Sequence, residues 1–287
     1  MGKLMILDLG SFNIKTNLGG IYENRFFLDN ENDTFGAETV EYHGNTYFFG
    51  KGTFSKEFVK FKKDYVTQML YAIGKDVKEN RKELNLIVLL PSTQYSTGNC
   101  IKENLSDKEF KIKVNNKYKE IKINKVGILK EGFAAFYSLP ERNNGLIIII
   151  DIGGRTTDVF AFINGNLVNE ISVPVGCMDY FRRISDRLNN LGQKRKMEDI
   201  RILLDDGIID INDFEDITND FYKIIIDEIK IEIDNLSDFK IKLCGGGANF
   251  LIDLFLKQFD RVEKLNNNIM ANVIGAYNVG KAKGLDD

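Results

Sequence analysis

A single histidine, His43, three cysteines, three prolines and no tryptophan are found in a chain of 287 residues. One imidazole cannot build a Ser-His-Asp triad or a multi-histidine metal site, so any chemistry must come from carboxylates, lysines and backbone amides. Cys100, Cys177 and Cys244 are odd in number, far apart and without a C-x-x-C pair. That excludes a disulfide framework and a zinc ribbon, and fits a reducing cytoplasm. So little proline rules out a Pro-rich or collagen-like chain, and 43% hydrophobic with 28% charged residues is the composition of an ordinary globule. The length suits one large or two small domains. There is no excess of positive charge either: Lys+Arg 39 against Asp+Glu 42 gives a net charge of -3. Direct wrapping of nucleic acid is therefore not expected, and a link to DNA would run through a partner. The first apolar run is interrupted by Asp8 and lacks a small-residue cleavage site, and no stretch approaches the ~18 apolar residues of a membrane span. Neither secretion nor membrane insertion is expected.

What is present is an internal repeat too widely spaced for a solenoid. Leu4-Met5-Ile6-Leu7-Asp8-Leu9-Gly10-Ser11-Phe12-Asn13-Ile14-Lys15 is answered by Ile147-Ile148-Ile149-Ile150-Asp151-Ile152-Gly153-Gly154-Arg155-Thr156-Thr157-Asp158. In both copies an apolar run ends in Asp, an apolar residue, Gly and a small residue, and a charged residue follows. Runs this short and rich in Ile and Leu, bounded by glycine, read as strands buried on both faces. Each half thus opens with a β-hairpin whose turn is glycine-rich. In the second half the chain continues through Val159–Ile163, Asn164-Gly165 and Leu167–Val173, a hairpin signal because Asn-Gly tolerates the positive φ of a tight turn.

Between the copies, Asn85–Leu90 reads as another buried strand, stopped by Pro91, and Asp64–Lys78 has helical spacing. Residues 23–52 are polar, aromatic and turn-rich, with a hairpin expected at Tyr42–Tyr47. Gly127–Leu139 carries Ala and aromatic residues at helix-compatible spacing. The second half has helical patterns at Met178–Leu191 and Phe214–Leu236, a strand Lys240–Leu243 leading into Cys244-Gly245-Gly246-Gly247-Ala248, a helix to Phe259, and a last helix over Asn268–Lys283. Strands alternating with helices in two similar halves point to an α/β architecture with a cleft between the halves.

A glycine loop after a buried strand can turn backbone amides toward phosphate oxygens, and this chain has three. The first adds Lys15, able to reach a terminal phosphate, and Asp8, a carboxylate suited to Mg²⁺ through water. The second offers Gly153, Gly154, Thr156 and Thr157 as donors and Asp151 as a second carboxylate near the metal. One such loop alone usually marks only a turn; two in register plus a Gly-Gly-Gly-Ala loop are hard to read as punctuation. Lys15 retains the alternative of an exposed lysine on an edge strand. Cys177 and Cys244 read as small buried residues, and Gln193-Lys194-Arg195-Lys196 as a solvated loop face.

On these motifs the sequence resembles the actin-like ATPases. Asp8–Lys15 is similar to the first phosphate motif of that superfamily, Asp151–Asp158 to the second and Leu243–Ala248 to the adenosine motif. Glu131-Gly132-Phe133-Ala134-Ala135 resembles the first connecting motif and Ala271-Asn272-Val273-Ile274-Gly275 the second, where small residues let two helices cross closely. All five occur in family order and span nearly the whole chain. Leu89-Leu90-Pro91 with Tyr95, the segment Tyr47–Gly50 and Lys130-Glu131 narrow the resemblance to bacterial plasmid-segregation actins of the ParM type.

The resemblance implies an actin-like two-domain fold of duplicated ribonuclease-H-like halves with ATP or ADP and Mg²⁺ in the interdomain cleft. GTP is left open as a substitute. Domain I would comprise residues 1–145 and 271–287 with a small subdomain at about 23–60. Domain II would span 146–270, with its small subdomain reduced to about 192–214, as in compact AlfA-like relatives. Nucleotide contacts would come from Gly10, Ser11, Phe12, Asn13, Lys15, Gly153, Gly154, Arg155, Thr156, Gly245, Gly246, Gly247 and Ala248. Asp8 and Asp151 would hold the metal through water, and Glu131 and Asp151 would be the catalytic residues, Glu131 orienting the attacking water. A solvated acid at a helix start is the plainer reading of Glu131. The implied function is a cytoplasmic filament ATPase that segregates plasmid DNA, assembling with itself and with a ParR-like centromere-binding adaptor, without direct contact to DNA or membrane. A small-molecule kinase on the same fold is the alternative; a third reading is a cell-shape filament of the MreB kind, which usually carries a membrane-binding apolar loop or amphipathic terminus, for which Met1–Lys3 is too short.

Overall fold

The computed structural model describes residues 2–28, 34–55, 57, 59–62 and 64–286. The chain divides into two units, Met1–Pro140 with Met270–Asp287, and Glu141–Ile269.

The first unit contains strands β1 (Lys3–Leu9), β2 (Asn13–Thr16), β3 (Ile21–Glu23), β4 (Arg25–Leu28), β5 (Glu38–Tyr42) and β6 (Asn45–Phe54), followed by helix α1 (Tyr65–Asp76). Then come β7 (Arg81–Leu90), α2 (Gly98–Leu105), β8 (Lys108–Val114), β9 (Lys117–Lys130) and the single helical turn α3 (Phe133–Phe136). All nine strands form one sheet in the order β3-β2-β1-β7-β9-β8-β5-β6-β4. The unbroken apolar runs of β1 and β7 follow from covering both faces of the sheet. Met5, Leu7, Leu86, Val88 and Leu90 pack in the cluster that holds Met69, Leu70 and Ile73 of α1. The alternate residues Leu4, Ile6, Ile87 and Leu89 pack with Ala134, Val273 and Ala276. Each buried Leu, Ile, Val or Met side chain among them stabilises the unit by roughly 1.5–3 kcal/mol. Asn85, the polar residue within the buried stretch of β7, has an amide that donates to Gly2 O and Leu285 O, both at 2.9 Å.

Two expectations change here. Gly127–Lys130 is the end of strand β9, and only Phe133–Phe136 is helical, because Gly132 at φ 68° breaks the chain between them. Strands β8 and β9 have no counterpart in the sequence reading. Their exposed positions are largely Lys, yet Phe110, Ile112, Val114, Ile121 and Ile123 alternate inward, and Asn115 and Asn116 turn at φ 46° and 62°. The expected hairpin at Tyr42–Tyr47 is present as β5 and β6.

The second unit contains β10 (Leu146–Ile152), β11 (Thr157–Ile163), β12 (Asn166–Val173), α4 (Cys177–Asn190), α5 (Met197–Asp205), α6 (Glu215–Glu232), β13 (Lys240–Cys244), α7 (Ala248–Gln258) and β14 (Val262–Lys264). The last helix, α8 (Ala271–Ala282), belongs to the first unit. Asn164 and Gly165 make the β11–β12 turn at φ 48° and 81°. The five strands are ordered β12-β11-β10-β13-β14. Tyr180 of α4 stacks on Phe221 of α6 at 5.2 Å, and its buried hydroxyl shares a 2.8 Å hydrogen bond with Thr218. The stretch 192–214 holds α5 and a 3-10 turn at Ile211–Phe214.

The two sheets repeat one another. In β3-β2-β1-β7-β9, as in β12-β11-β10-β13-β14, the first three strands pair antiparallel and the last two join in parallel. The first is extended by β8, β5, β6 and β4, which β9 carries into the sheet.

Candidate functional site

In the first unit, Gly10, Ser11 and Phe12 turn the chain from β1 into β2, with Asn13 opening β2. The ladder sets Asp8 opposite Lys15. Lys15 Nζ lies 2.7 Å from Asp8 Oδ2, with side chains 14% and 3% exposed. Burying either charge alone would be costly, and pairing offsets part of that cost. Lys15 is thus not an exposed edge lysine, since β2 is flanked by β1 and β3. The turn is held from outside the motif by Asn24. Its side-chain amide donates to Gly10 O at 2.7 Å and its backbone amide to Phe12 O at 2.8 Å. The Phe12 ring meets Phe54 edge-on at 4.9 Å.

The second unit repeats the turn with a different charge. Asp151 of β10 stands opposite Asp158 of β11, so a second carboxylate occupies the place of Lys15. Both are buried, and Thr156 Oγ1 donates to Asp158 Oδ2 at 3.1 Å. Thr157 Oγ1 donates to Val175 O at 3.0 Å. Gly153, Gly154, Arg155 and Thr156 form the turn, closed by Gly153 N donating to Thr156 O at 2.9 Å. The requirement for glycine is shared: a Cβ would sit 2.8 Å from Asn13 O at Gly10 and 3.0 Å from Thr156 O at Gly153.

The loop Gly245–Ala248 after β13 docks on this second turn. Gly247 N donates to Ile152 O at 3.0 Å, and Gly245, at φ 79°, donates its amide to Asn268 O at 3.0 Å. Asn268 returns a 2.8 Å bond from its side-chain amide to Gly245 O. Cys177 N and Met178 N, the first amides of α4, donate to Gly153 O and Gly154 O at 3.0 and 2.8 Å. The Gly247 amide therefore ties the third loop to the second turn, while the amides of Gly153 and Gly245 are taken up by Thr156 O and Asn268 O. Burial pushes the Cys177 thiol up to about 12.

Glu131 follows β9 in the first unit. Its backbone amide donates to Leu90 O at 2.8 Å, and Oε1 accepts from the Lys60 ammonium. Lys60 is 5% exposed; its Nζ also donates to Leu89 O at 3.2 Å and its backbone amide to Gln94 Oε1 at 2.7 Å. Glu131 is accordingly an ion-paired acid rather than a solvated one. Lys130 lies over the Tyr95 ring at 5.3 Å. Next to it, Gly132 N donates to Asn272 Oδ1 at 2.8 Å. A Cβ on Gly275 would lie 1.8 Å from Ala134 O, so α3 and α8 cross at the small residues the two connecting motifs supply.

The structure thus gathers Asp8, Gly10, Ser11, Phe12, Asn13 and Lys15 at one hairpin and Asp151, Gly153, Gly154, Arg155 and Thr156 at another, with Gly245–Ala248 beside the second. Lys60, Asn24, Gln94 and Asn268 were not legible as site residues. Lys60 lies in a lysine-rich stretch that reads as solvated face, and single Asn or Gln residues carry no spacing signal. Among the described residues no cluster of three or more His, Cys, Asp or Glu side chains forms a metal site.

No protein-family model matches the chain, and no curated protein sequence does. Solved structures do match over nearly the whole chain. An archaeal actin homolog, Ta0583, aligns with a TM-score of 0.82 and 17% identity over 98% of this chain and 99% of its own. Its complex with ADP aligns at 0.78 and 18% identity over 98% of this chain and 99% of its own. The ParM of a 15-stranded filament from Clostridium botulinum aligns at 0.79 and 18% over 98% of this chain and 100% of its own. The apo psk41 ParM protein aligns at 0.71 and 20% over 98% and 97%. Together with the repeated sheet order, these likenesses establish the fold: it is the actin-like α/β fold of ParM type, built from two ribonuclease-H-like halves.

Proposed function

We propose that this chain is an ATP-hydrolysing, filament-forming actin-like protein that moves plasmid DNA apart. The observation that carries the reading is the twofold occurrence of one Asp-Gly hairpin turn at matching positions of two sheets with the same strand order, the second joined by a docked Gly-Gly-Gly-Ala loop. Chance does not readily place the same turn twice in register. The ADP complex of the archaeal homolog and the filament of the Clostridium botulinum ParM support nucleotide binding and self-assembly.

On this reading the hairpin turns and the third loop contact the nucleotide phosphates. Lys15 has three ammonium donors, so it can keep Asp8 and still reach a phosphate oxygen. The carboxylates Asp8 and Asp151 are hard oxygen donors that suit Mg²⁺ held through water, for which no closed cluster of ligands is needed. When bound, the metal supplies neutralisation of phosphate charge. Glu131 accepts a hydrogen bond from the attacking water and orients it, the protein's share of a phosphoryl transfer being chiefly positioning and electrostatics. The residues 192–214 serve as the reduced small subdomain of the second domain. A ParR-like adaptor on centromere DNA is the proposed partner besides the chain itself, and the cytoplasm the proposed location. No helix among the described residues is long and apolar enough to cross a membrane.

Sedimentation with and without Mg-ATP, alongside phosphate release, tests the reading. Pelleting that requires nucleotide and releases phosphate is the expected result. A protein that stays in the supernatant and instead yields a phosphorylated sugar or acetate would replace the filament reading with the kinase one.

A further inference from the structure

A lysine whose ammonium is withdrawn from water needs a reason, because the desolvation cost is several kcal/mol per ion unless partners compensate. Lys60 is such a residue. Its side chain is 6% exposed, and that of its partner Glu131 is 15% exposed. Three bonds fix it: the backbone amide to Gln94 Oε1, and the ammonium to Leu89 O and to the Glu131 carboxylate. Those acceptors belong to the C-terminal end of β7, the 3-10 turn Ser92–Thr97 after it, and the segment just past β9.

This is also the end of the sheet where the Asp8 hairpin lies. β1, β7 and β9 run parallel, and Asp8 is in register with Leu89, the residue whose carbonyl accepts from Lys60. In open α/β sheets, ligands bind outside the carboxyl ends of the strands. The lysine is thus at the functional end of the sheet, where an ordinary core lysine has no cause to be.

We propose that Lys60 is the positioning residue of Glu131. The proposal rests on the reading of Glu131 as the group that orients the attacking water. A glutamate side chain has three rotatable bonds and, at the end of a strand, would otherwise sample several rotamers. The ammonium fixes one of them, and Gln94 and Leu89 fix the ammonium. An ionised carboxylate offers about four lone-pair sites, so accepting from Lys60 leaves it able to accept from water as well. The chain in this way assembles an oriented acceptor from a segment about 70 residues away in sequence, with the lysine acting only through the glutamate.

The test is steady-state Mg-ATP hydrolysis by the full chain carrying Lys60→Met, Lys60→Arg, Glu131→Gln, or Lys60→Met together with Glu131→Gln. Lys60→Met should lower kcat by about tenfold or more, the scale of a displaced catalytic group, with KM for ATP unchanged within about twofold. Lys60→Arg should recover most of kcat, because it restores a cation to the carboxylate. The double variant should be no slower than Glu131→Gln alone, since residues acting as a unit are not additive. That comparison also serves if Lys60→Met alone leaves a buried carboxylate that unfolds the protein. Wild-type kcat in Lys60→Met, or a double variant slower than Glu131→Gln by the full Lys60→Met factor, would overturn the proposal. If Glu131→Gln itself hydrolyses normally, the underlying reading of Glu131 falls; if it is slow while Lys60→Met is normal, only the positioning role falls.

Discussion

Lys15 Nζ and Asp8 Oδ2 meet at 2.7 Å across the β1–β2 ladder, whereas the matching register of the second sheet sets Asp151 against Asp158. The duplicated hairpin has therefore kept its backbone and lost its charge symmetry. In one copy the residues facing each other are a lysine and an aspartate, in the other two buried aspartates.

Lys15→Met leaves Asp8 buried without its cation, and breaking a buried pair from one side costs about 3 kcal/mol. Urea unfolding should show that loss, and Asp8→Leu in the same chain should recover much of it. An unchanged unfolding midpoint in Lys15→Met would mean that the pair contributes nothing to the first unit.

Gly275→Ala should destabilise the chain by about 1–3 kcal/mol through overpacking, because the new methyl would lie 1.8 Å from the Ala134 carbonyl oxygen. Gly246→Ala is the control, with nothing within 4 Å of its added Cβ. It should unfold within about 0.5 kcal/mol of the parent, as surface substitutions do. Thermal unfolding of the two variants side by side checks the contrast, and equal melting temperatures would contradict the close helix crossing.

Thiol reactivity separates the three cysteines. The thiolate is the nucleophile, and Cys177, pushed up to about 12 by burial, stays protonated at all pH values well below that; Cys244 is fully buried and Cys100 is exposed. A disulfide reagent at mildly alkaline pH should titrate Cys100 rapidly in the native protein and all three thiols in denaturant. Rapid native labelling of Cys177 would show that the start of α4 opens from the Gly153–Gly154 turn.

Much of this architecture is legible in the sequence. Strands buried on both faces announce themselves as Ile and Leu runs, and the turns that follow must be glycine where the chain doubles back within van der Waals distance of itself. The small residues of Ala134, Ala135 and Gly275 give the helix crossing. Lys60 is not legible in this way, because its partner is Glu131 and nothing in its neighbours distinguishes a buried lysine from a solvated one. Strands β8 and β9 are hidden by a different effect: lysines on the solvent face mask an inward alternation that only a count by twos reveals.

Strand β9 pairs with β7 from Glu120 to Lys130, with a bulge at Asn124, and with β8 from Lys117 to Ile123, so the outer strands are laddered onto the same 14-residue strand that ends at Lys130. A segment joined by a loop can hinge with little resistance, whereas one joined by a hydrogen-bonded ladder can bend only by breaking rungs in concert. A shift of the outer strands would thus reach Lys130 and Glu131 through the β9 backbone, with the bulge at Asn124 as the place where that strand can bend.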